Sequence, residues 1–271
     1  MKKLYSWGGK FVERNLTISD LIASKGKKQF IQTTATNSNE ASAAREAGID
    51  MLLCKSPHIK SVRDGAPNIF LTATIDLALF PSNDDVLREA FDSMKDGADQ
   101  IYTARGPHVI EYLSKEEIPV MCHLGLVPRK SAWRGGLRAV GRNAKEAHEL
   151  FKNFKTMESA GATSVECEII HDQIMKEIYQ RTSMLISSLG SGAHADIMYL
   201  FQNDICGELE YIPRHARSFG NVLKLEKEIY KERVSSLSKF KEAVFSKNFP
   251  NNKEIVQVKK SELDKFLKLI S

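Results

Sequence analysis

Short apolar runs alternate with longer stretches of helical periodicity from about residue 29 to residue 220. The runs at 29–36, 50–54, 68–75, 99–104, 119–124, 165–170, 184–189 and 197–201 each have the length of one strand. Between them, 39–48, 83–97, 106–115, 143–161 and 171–181 read as amphipathic helices, with Leu150, Phe151, Phe154 and Met157 at helical spacing in the fourth. Asn83 is the expected N-cap of the second. Repeated strand–helix units imply a parallel sheet, and about eight of them imply closure into a (β/α)8 barrel. The unit between residues 54 and 68 is short and holds Pro57, Gly65 and Pro67, so no full helical crossover is expected there. Gly190-Ser191-Gly192 reads as a tight turn opening a helix, whose backbone N–H groups can bind an anion. Beyond Asp204 the pattern is helical: 223–247 is charged and amphipathic, residues 250–252 (Pro-Asn-Asn) break it, and 260–270 closes the chain. The expected organisation is one domain over 1–271, with a barrel at about 28–220 and a C-terminal helical extension at 221–271.

Composition narrows the function classes. With 42% hydrophobic and 27% charged residues, the chain can bury a large core. The formal charge is +5, but the lysines are scattered along helices without a groove-reading motif, so no nucleic-acid partner is expected. No run approaches a membrane span, and residues 4–14 lack the apolar stretch of a secretion signal. Cys54, Cys122, Cys167 and Cys206 show no CxxC spacing, which suggests free thiols and a cytoplasmic protein.

In such barrels the chemistry sits at the C-terminal ends of the strands. Those ends carry Lys55-Ser56, Thr74-Ile75-Asp76, Ala104-Arg105, His123, Glu168 and Gly190-Ser191-Gly192. Strand alternation turns Cys54, Cys122 and Cys167 away from their neighbours Lys55, His123 and Glu168, toward the helices. Glu166 shares a strand face with Glu168, and a buried glutamate there needs a partner, for which Lys55 is one candidate. Otherwise Lys55 is a solvated loop lysine or a cation aimed into the mouth. His58, His108, His148, His171, His194 and His215 show no ligand spacing, so no His/Cys metal site is expected.

The stretch Ile118-Pro-Val-Met-Cys-His-Leu-Gly-Leu-Val-Pro128 resembles the signature run of the ketopantoate hydroxymethyltransferase family. The resemblance continues through Gly135-Gly136, Val140-Gly141-Arg142 and Glu158-Ser-Ala-Gly-Ala162, then Glu168, read as the family's LEC glutamate. Gly190-Ser-Gly192 with Asp196, the segment 62–68 and Phe249-Pro250 extend it over roughly residues 28 to 250. It implies a barrel of the phosphoenolpyruvate/pyruvate type, and a site at which Mg2+ chelates 3-methyl-2-oxobutanoate. There a base removes the C3 proton, and the enolate takes a one-carbon unit from 5,10-methylenetetrahydrofolate. At the family's three carboxylate positions this chain carries Lys55, Thr74 and Ala104, leaving Asp76 as the only carboxylate expected nearby. One acidic ligand is thin for Mg2+. No metal ligand set is therefore expected, and the folate is needed only where hydroxymethyl transfer is kept.

The resulting expectation is aldol-type carbon–carbon chemistry on a small 2-oxo acid. Glu168 and Lys55 are the catalytic candidates, and Ser56, Thr74, Arg105, His123, Gly190 and Ser191 the substrate-binding ones. The alternative is a diverged, non-catalytic barrel that binds a small anion or serves as an assembly partner. The resemblance also implies a homo-oligomer.

Overall fold

The computed structural model describes residues 1–271 and divides into two compact units, Met1–Phe219 and Gly220–Ser271. In the first unit eight parallel strands close into a barrel in the order β10-β3-β4-β5-β6-β7-β8-β9. The strands are β3 (Phe30–Thr34), β4 (Met51–Lys55), β5 (Phe70–Thr74), β6 (Gln100–Tyr102), β7 (Val120–Gly125), β8 (Ser164–Glu168), β9 (Leu185–Leu189) and β10 (Ile197–Leu200). Helices α2 (Ser38–Glu46), α3 (Ile59–Gly65), α4 (Asn83–Asp96), α5 (Pro107–Ser114), α6 (Ala144–Ser159) and α7 (Asp172–Tyr179) cross between them. No helix of the chain is long and apolar enough to cross a membrane.

Three sequence expectations need correction. A helical crossover does fit between β4 and β5: the 3-10 turn Ser56–His58 leads straight into α3. Gly65 makes this possible, because a Cβ there would stand 2.0 Å from the Ser38 carbonyl oxygen at the start of α2. Conversely, no helix follows Gly190-Ser191-Gly192; the chain passes directly from β9 to β10. The buried Asp196 carboxylate ties that passage down, accepting from the N–H groups of Gly26 and Ile186, the Tyr179 hydroxyl and the Lys25 ammonium. The N-cap of α4 is Ser82 rather than Asn83, with Asp85 completing a capping box.

Alternation sorts the barrel side chains into layers. Outward residues, including Cys54, Cys122 and Cys167, join the core under the helices. Inward, the lowest layer is apolar: Phe30, Met51, Phe70, Leu185 and Ile197. Leu21, on α1 (Ile18–Ala23), packs beneath it with Leu16 and Ile18. The sequence pattern had not shown this helix, nor the preceding hairpin of β1 (Lys2–Tyr5) and β2 (Phe11–Arg14). Above lies a polar layer in which Gln32, Thr72, Gln100, Ser164 and Ser187 hydrogen-bond one another. Being mutually satisfied, they avoid the cost of burying lone polar groups. The top layer is the mouth.

Glu158, in the last turn of α6, accepts from Lys155 Nζ and from the backbone and hydroxyl of Ser183 ahead of β9. Partial burial works against its charge, but these donors hold its carboxyl at about 2, below the ordinary 4.5. A folded-state value below the unfolded one gives stability that is present above about pH 4.5 and lost as pH falls toward 2. Glu158→Gln is therefore expected to cost on the order of 1 kcal/mol at pH 7. The gap between wild type and variant in urea midpoints should close as the pH is lowered toward the folded-state value. A gap that stays constant with pH would show that the charge contributes nothing.

In the second unit, α9 (Val222–Phe245) and α10 (Lys260–Ile270) carry exposed apolar side chains, among them Leu237, Phe245 and Leu269. Phe240 and Phe249 meet edge to face at 5.3 Å.

Candidate active site

The upper ends of β4 to β8 turn six polar side chains inward. Lys55, Thr74, Tyr102, His123, Glu166 and Glu168 all line one cavity at the mouth, together with Asp76, Arg129 and Phe201. In the closed strand order β4 lies opposite β8, so Lys55 faces Glu166 and Glu168 across the barrel.

His123 is the hub. Its Nδ1 lies 2.6 Å from the Tyr102 hydroxyl, and its Nε2 lies 3.0 Å from Glu168 Oε2 and 3.6 Å from Glu166 Oε1. Neither carboxylate oxygen is well aligned with an Nε2–H bond, so these contacts are ion pairs rather than directed hydrogen bonds. Burial disfavours the charged ring, yet Glu168 and Glu166 outweigh it and raise the His123 pKa. Glu166 is pushed up to about 7, by burial and by the like charge of Glu168, against the pull of His123 and a hydrogen bond from Tyr102. Burial keeps the Tyr102 phenol protonated far above its usual range. With the ring protonated, Nδ1–H donates to the Tyr102 oxygen, leaving that hydroxyl free to donate to Glu166.

The partner of Glu166 is thus His123, and Lys55 is left without a hydrogen bond or salt bridge, its side chain exposed in the mouth. Asp76 is not the sole nearby carboxylate. It is held by a paired contact from Arg129 and by the Ala78 N–H, which lower its pKa. Thr74 Oγ1 is buried without a partner.

Four expected binding residues stand outside the cavity. Ser56 is buried at the start of the 3-10 turn and lines neither part of the mouth. Arg105 gives its guanidinium to the carbonyls of Leu77 and Phe80, because β6 ends three residues earlier and the side chain reaches the β5–α4 loop instead. Ser191 donates to the Cys167 carbonyl at 2.6 Å and accepts from Ile170 N–H at 2.9 Å, clamping β8 to β9. Gly190, at φ +69°, makes the turn past His215, and with no helix behind it there is no N-terminus to hold an anion. Tyr102 and Arg129 were missed. Alternation from Gln100 points Tyr102 inward, whereas Arg129 comes from the 3-10 turn Pro128–Arg134 after β7 and had no periodic signal.

Such a site, polar groups at the C-terminal mouth of a parallel barrel, defines a class shared with many barrel enzymes. Solved structures show the same architecture. A phosphonopyruvate hydrolase complex with oxalate and Mg2+ superposes with a TM-score of 0.51 at 12% identity, covering 94% of this chain and 98% of that one. A putative phosphonomutase from Burkholderia cenocepacia gives 0.50 at 9% identity, with 78% and 92% covered. The family model of ketopantoate hydroxymethyltransferase matches residues 54–252, and the chain belongs to that family. The chain is similar to the 3-methyl-2-oxobutanoate hydroxymethyltransferase of Kosmotoga olearia, at 29% identity over 89% of this chain and 98% of the relative. For the same-named protein of Staphylothermus marinus the values are 27%, 93% and 100%.

The family's Mg2+ does not fit the residues present. Lys55 and Thr74 end β4 and β5, Ala104 follows the end of β6, none of them a carboxylate, and Asp76 is engaged by Arg129. The one set able to share a cation is His123, Glu166 and Glu168, whose ligand atoms lie within 4.8 Å of one another. A nitrogen and two carboxylates already in an ion pair are a poor match for an ion that demands octahedral oxygen.

Proposed function

We propose that this chain catalyses carbon–carbon bond formation or cleavage beside the carbonyl of a small 2-oxo acid, with hydroxymethyl transfer as its named form. The observation that carries the reading is the lone Lys55 ammonium facing the His123–Glu166–Glu168 group across one cavity. Lys55, with the unpartnered Thr74 hydroxyl, takes the substrate's carboxylate and oxo oxygen. Glu168, the outer of the two glutamates, accepts the C3 proton; the electrons of that C–H bond become the C2–C3 double bond of the enolate. Lys55 and the His123 imidazolium stabilise the negative oxygen as it forms. Where the family's transfer is retained, 5,10-methylenetetrahydrofolate would supply the one-carbon unit: the enolate carbon would bond to its methylene as one C–N bond breaks with its electron pair on nitrogen, and water would then replace the second nitrogen, releasing the hydroxymethyl acid and tetrahydrofolate. Tyr102 and Glu166 hold the ring in place and shield it from water.

The test is exchange of the C3 proton of 3-methyl-2-oxobutanoate and related oxo acids in D2O, followed by proton NMR. Exchange should proceed in the presence of EDTA, and added Mg2+ should change its rate less than about twofold, since no carboxylate set at β4–β6 binds the ion. Strong Mg2+ dependence would overturn the metal-free route. Absence of exchange across a broad panel would leave a small-anion binder.

A further inference from the structure

The mouth has a second lobe. It opens from the reaction cavity through Lys55, Thr74, Tyr102, Glu166 and Phe201, which line both. The lobe encloses about 580 Å3 between the ends of β3, β4 and β10 and helix α8 (Gln202–Cys206). Its walls are mainly apolar around Ala35, Leu53, Tyr199 and Phe201. Leu53 and Tyr199 pack on Leu189 to form the floor. The chain leaves β4 by the 3-10 turn instead of a long loop, and His58 from that turn stands on the wall. On the side of α8, Gln202 Oε1 is buried without a partner. The volume lies in the range of about 300–1,000 Å3 that pockets for drug-sized ligands occupy. An oxo acid as small as 3-methyl-2-oxobutanoate leaves most of it empty.

We propose that this lobe takes the side chain of a 2-oxo acid with an extended apolar chain, whose carboxylate is held by Lys55 at the junction. The proposal rests on the reading of the mouth as a 2-oxo acid site and adds its specificity. Charge complementarity sets the direction of binding. The Lys55 ammonium marks where the carboxylate stays, Glu168, which lines the reaction cavity alone, repels it from that side, and the apolar lobe is the space left for the chain. Each methylene buried there should tighten binding about fourfold, the ratio that corresponds to about 0.8 kcal/mol per CH2.

Isothermal titration of the intact chain with linear oxo acids from 2-oxobutanoate to 2-oxooctanoate reads this directly. Kd should fall about fourfold per methylene until the lobe is full. Leu53→Phe narrows the floor, and Asn203→Trp narrows the opposite wall from a half-buried position on α8. Each should weaken 2-oxooctanoate at least about tenfold and leave 2-oxobutanoate within about twofold. Agreement between the two variants excludes a folding artefact in either. A flat series overturns the proposal, as do variants that weaken all acids equally. It is also overturned if the variants impair only binding of 5,10-methylenetetrahydrofolate, since the lobe then belongs to the one-carbon donor. Affinity that grows with chain length while no acid exchanges its C3 proton upholds the lobe and overturns the reaction, so the two readings fail separately.

Discussion

Replacing Lys55 with alanine is expected to lower the rate of C3 proton exchange about a hundredfold. A carbanion beside a carbonyl needs a positive charge where the oxygen becomes negative, and one preorganised charged donor is worth about 3 kcal/mol in the transition state. Lys55 ends β4 with no hydrogen bond or salt bridge, and its charge meets that of Asp76 only at longer range, so its ammonium is not tied into the fold. The same independence predicts an unchanged melting temperature in the variant. Lys55→Arg keeps the charge but shifts it and spreads it over a planar group, so only part of the rate should return. The loss should appear in kcat as well as KM, since the charge on the enolate oxygen exists only in the transition state. A Lys55→Ala protein that exchanges at the wild-type rate would remove the lysine from the chemistry.

Gly125→Ala should be among the most damaging single-methyl changes in the chain. Gly125 closes β7 at φ +92°, where an L side chain costs about 1–2 kcal/mol. A Cβ there would also stand 2.2 Å from the Glu168 carbonyl oxygen and 2.8 Å from Ile170 Cγ1. That oxygen accepts from Leu126 N–H at 2.8 Å, so it is held where the methyl would go. Overpacking of this kind adds about 1–3 kcal/mol, for a sum of about 2–5 kcal/mol. Gly136 supplies the control: its φ is +114° but nothing lies within 4 Å of the position a methyl would take, so Gly136→Ala should cost only the backbone strain. Urea unfolding of the two variants measures the difference. Equal losses would mean that β8 moves aside freely, and that the approach of the two strand ends does not position Glu168.

Much of the site was legible because strands alternate. Given the strand ends, period two alone puts Lys55, His123, Glu166 and Glu168 inward and the three cysteines outward. What alternation omits is distance. Glu166 had Lys55 and His123 as candidate partners in the sequence, and the separation of β4 from β8 by the full width of the barrel settles that in favour of His123. Arg105 and Ser56 failed for a related reason. Both lie beyond the last paired residue of their strands, where direction follows the local turn and not the pleat.

The succession of the eight barrel strands, the parallel barrel and the family signature followed from the sequence itself, because each rests on short-range periodicity or contiguous residues. The tertiary structure decided the rest. The pairing of β7 with β8 sets His123 against the two carboxylates of β8. Arg129, from the 3-10 turn after β7, is carried onto Asp76, 53 positions away. The short 54–68 connection becomes a helix only because Gly65 lets α3 approach α2. Contacts of this kind join residues far apart in the chain, and their energies depend on who else is near. A pattern read along one dimension contains the faces of the elements but not their neighbours.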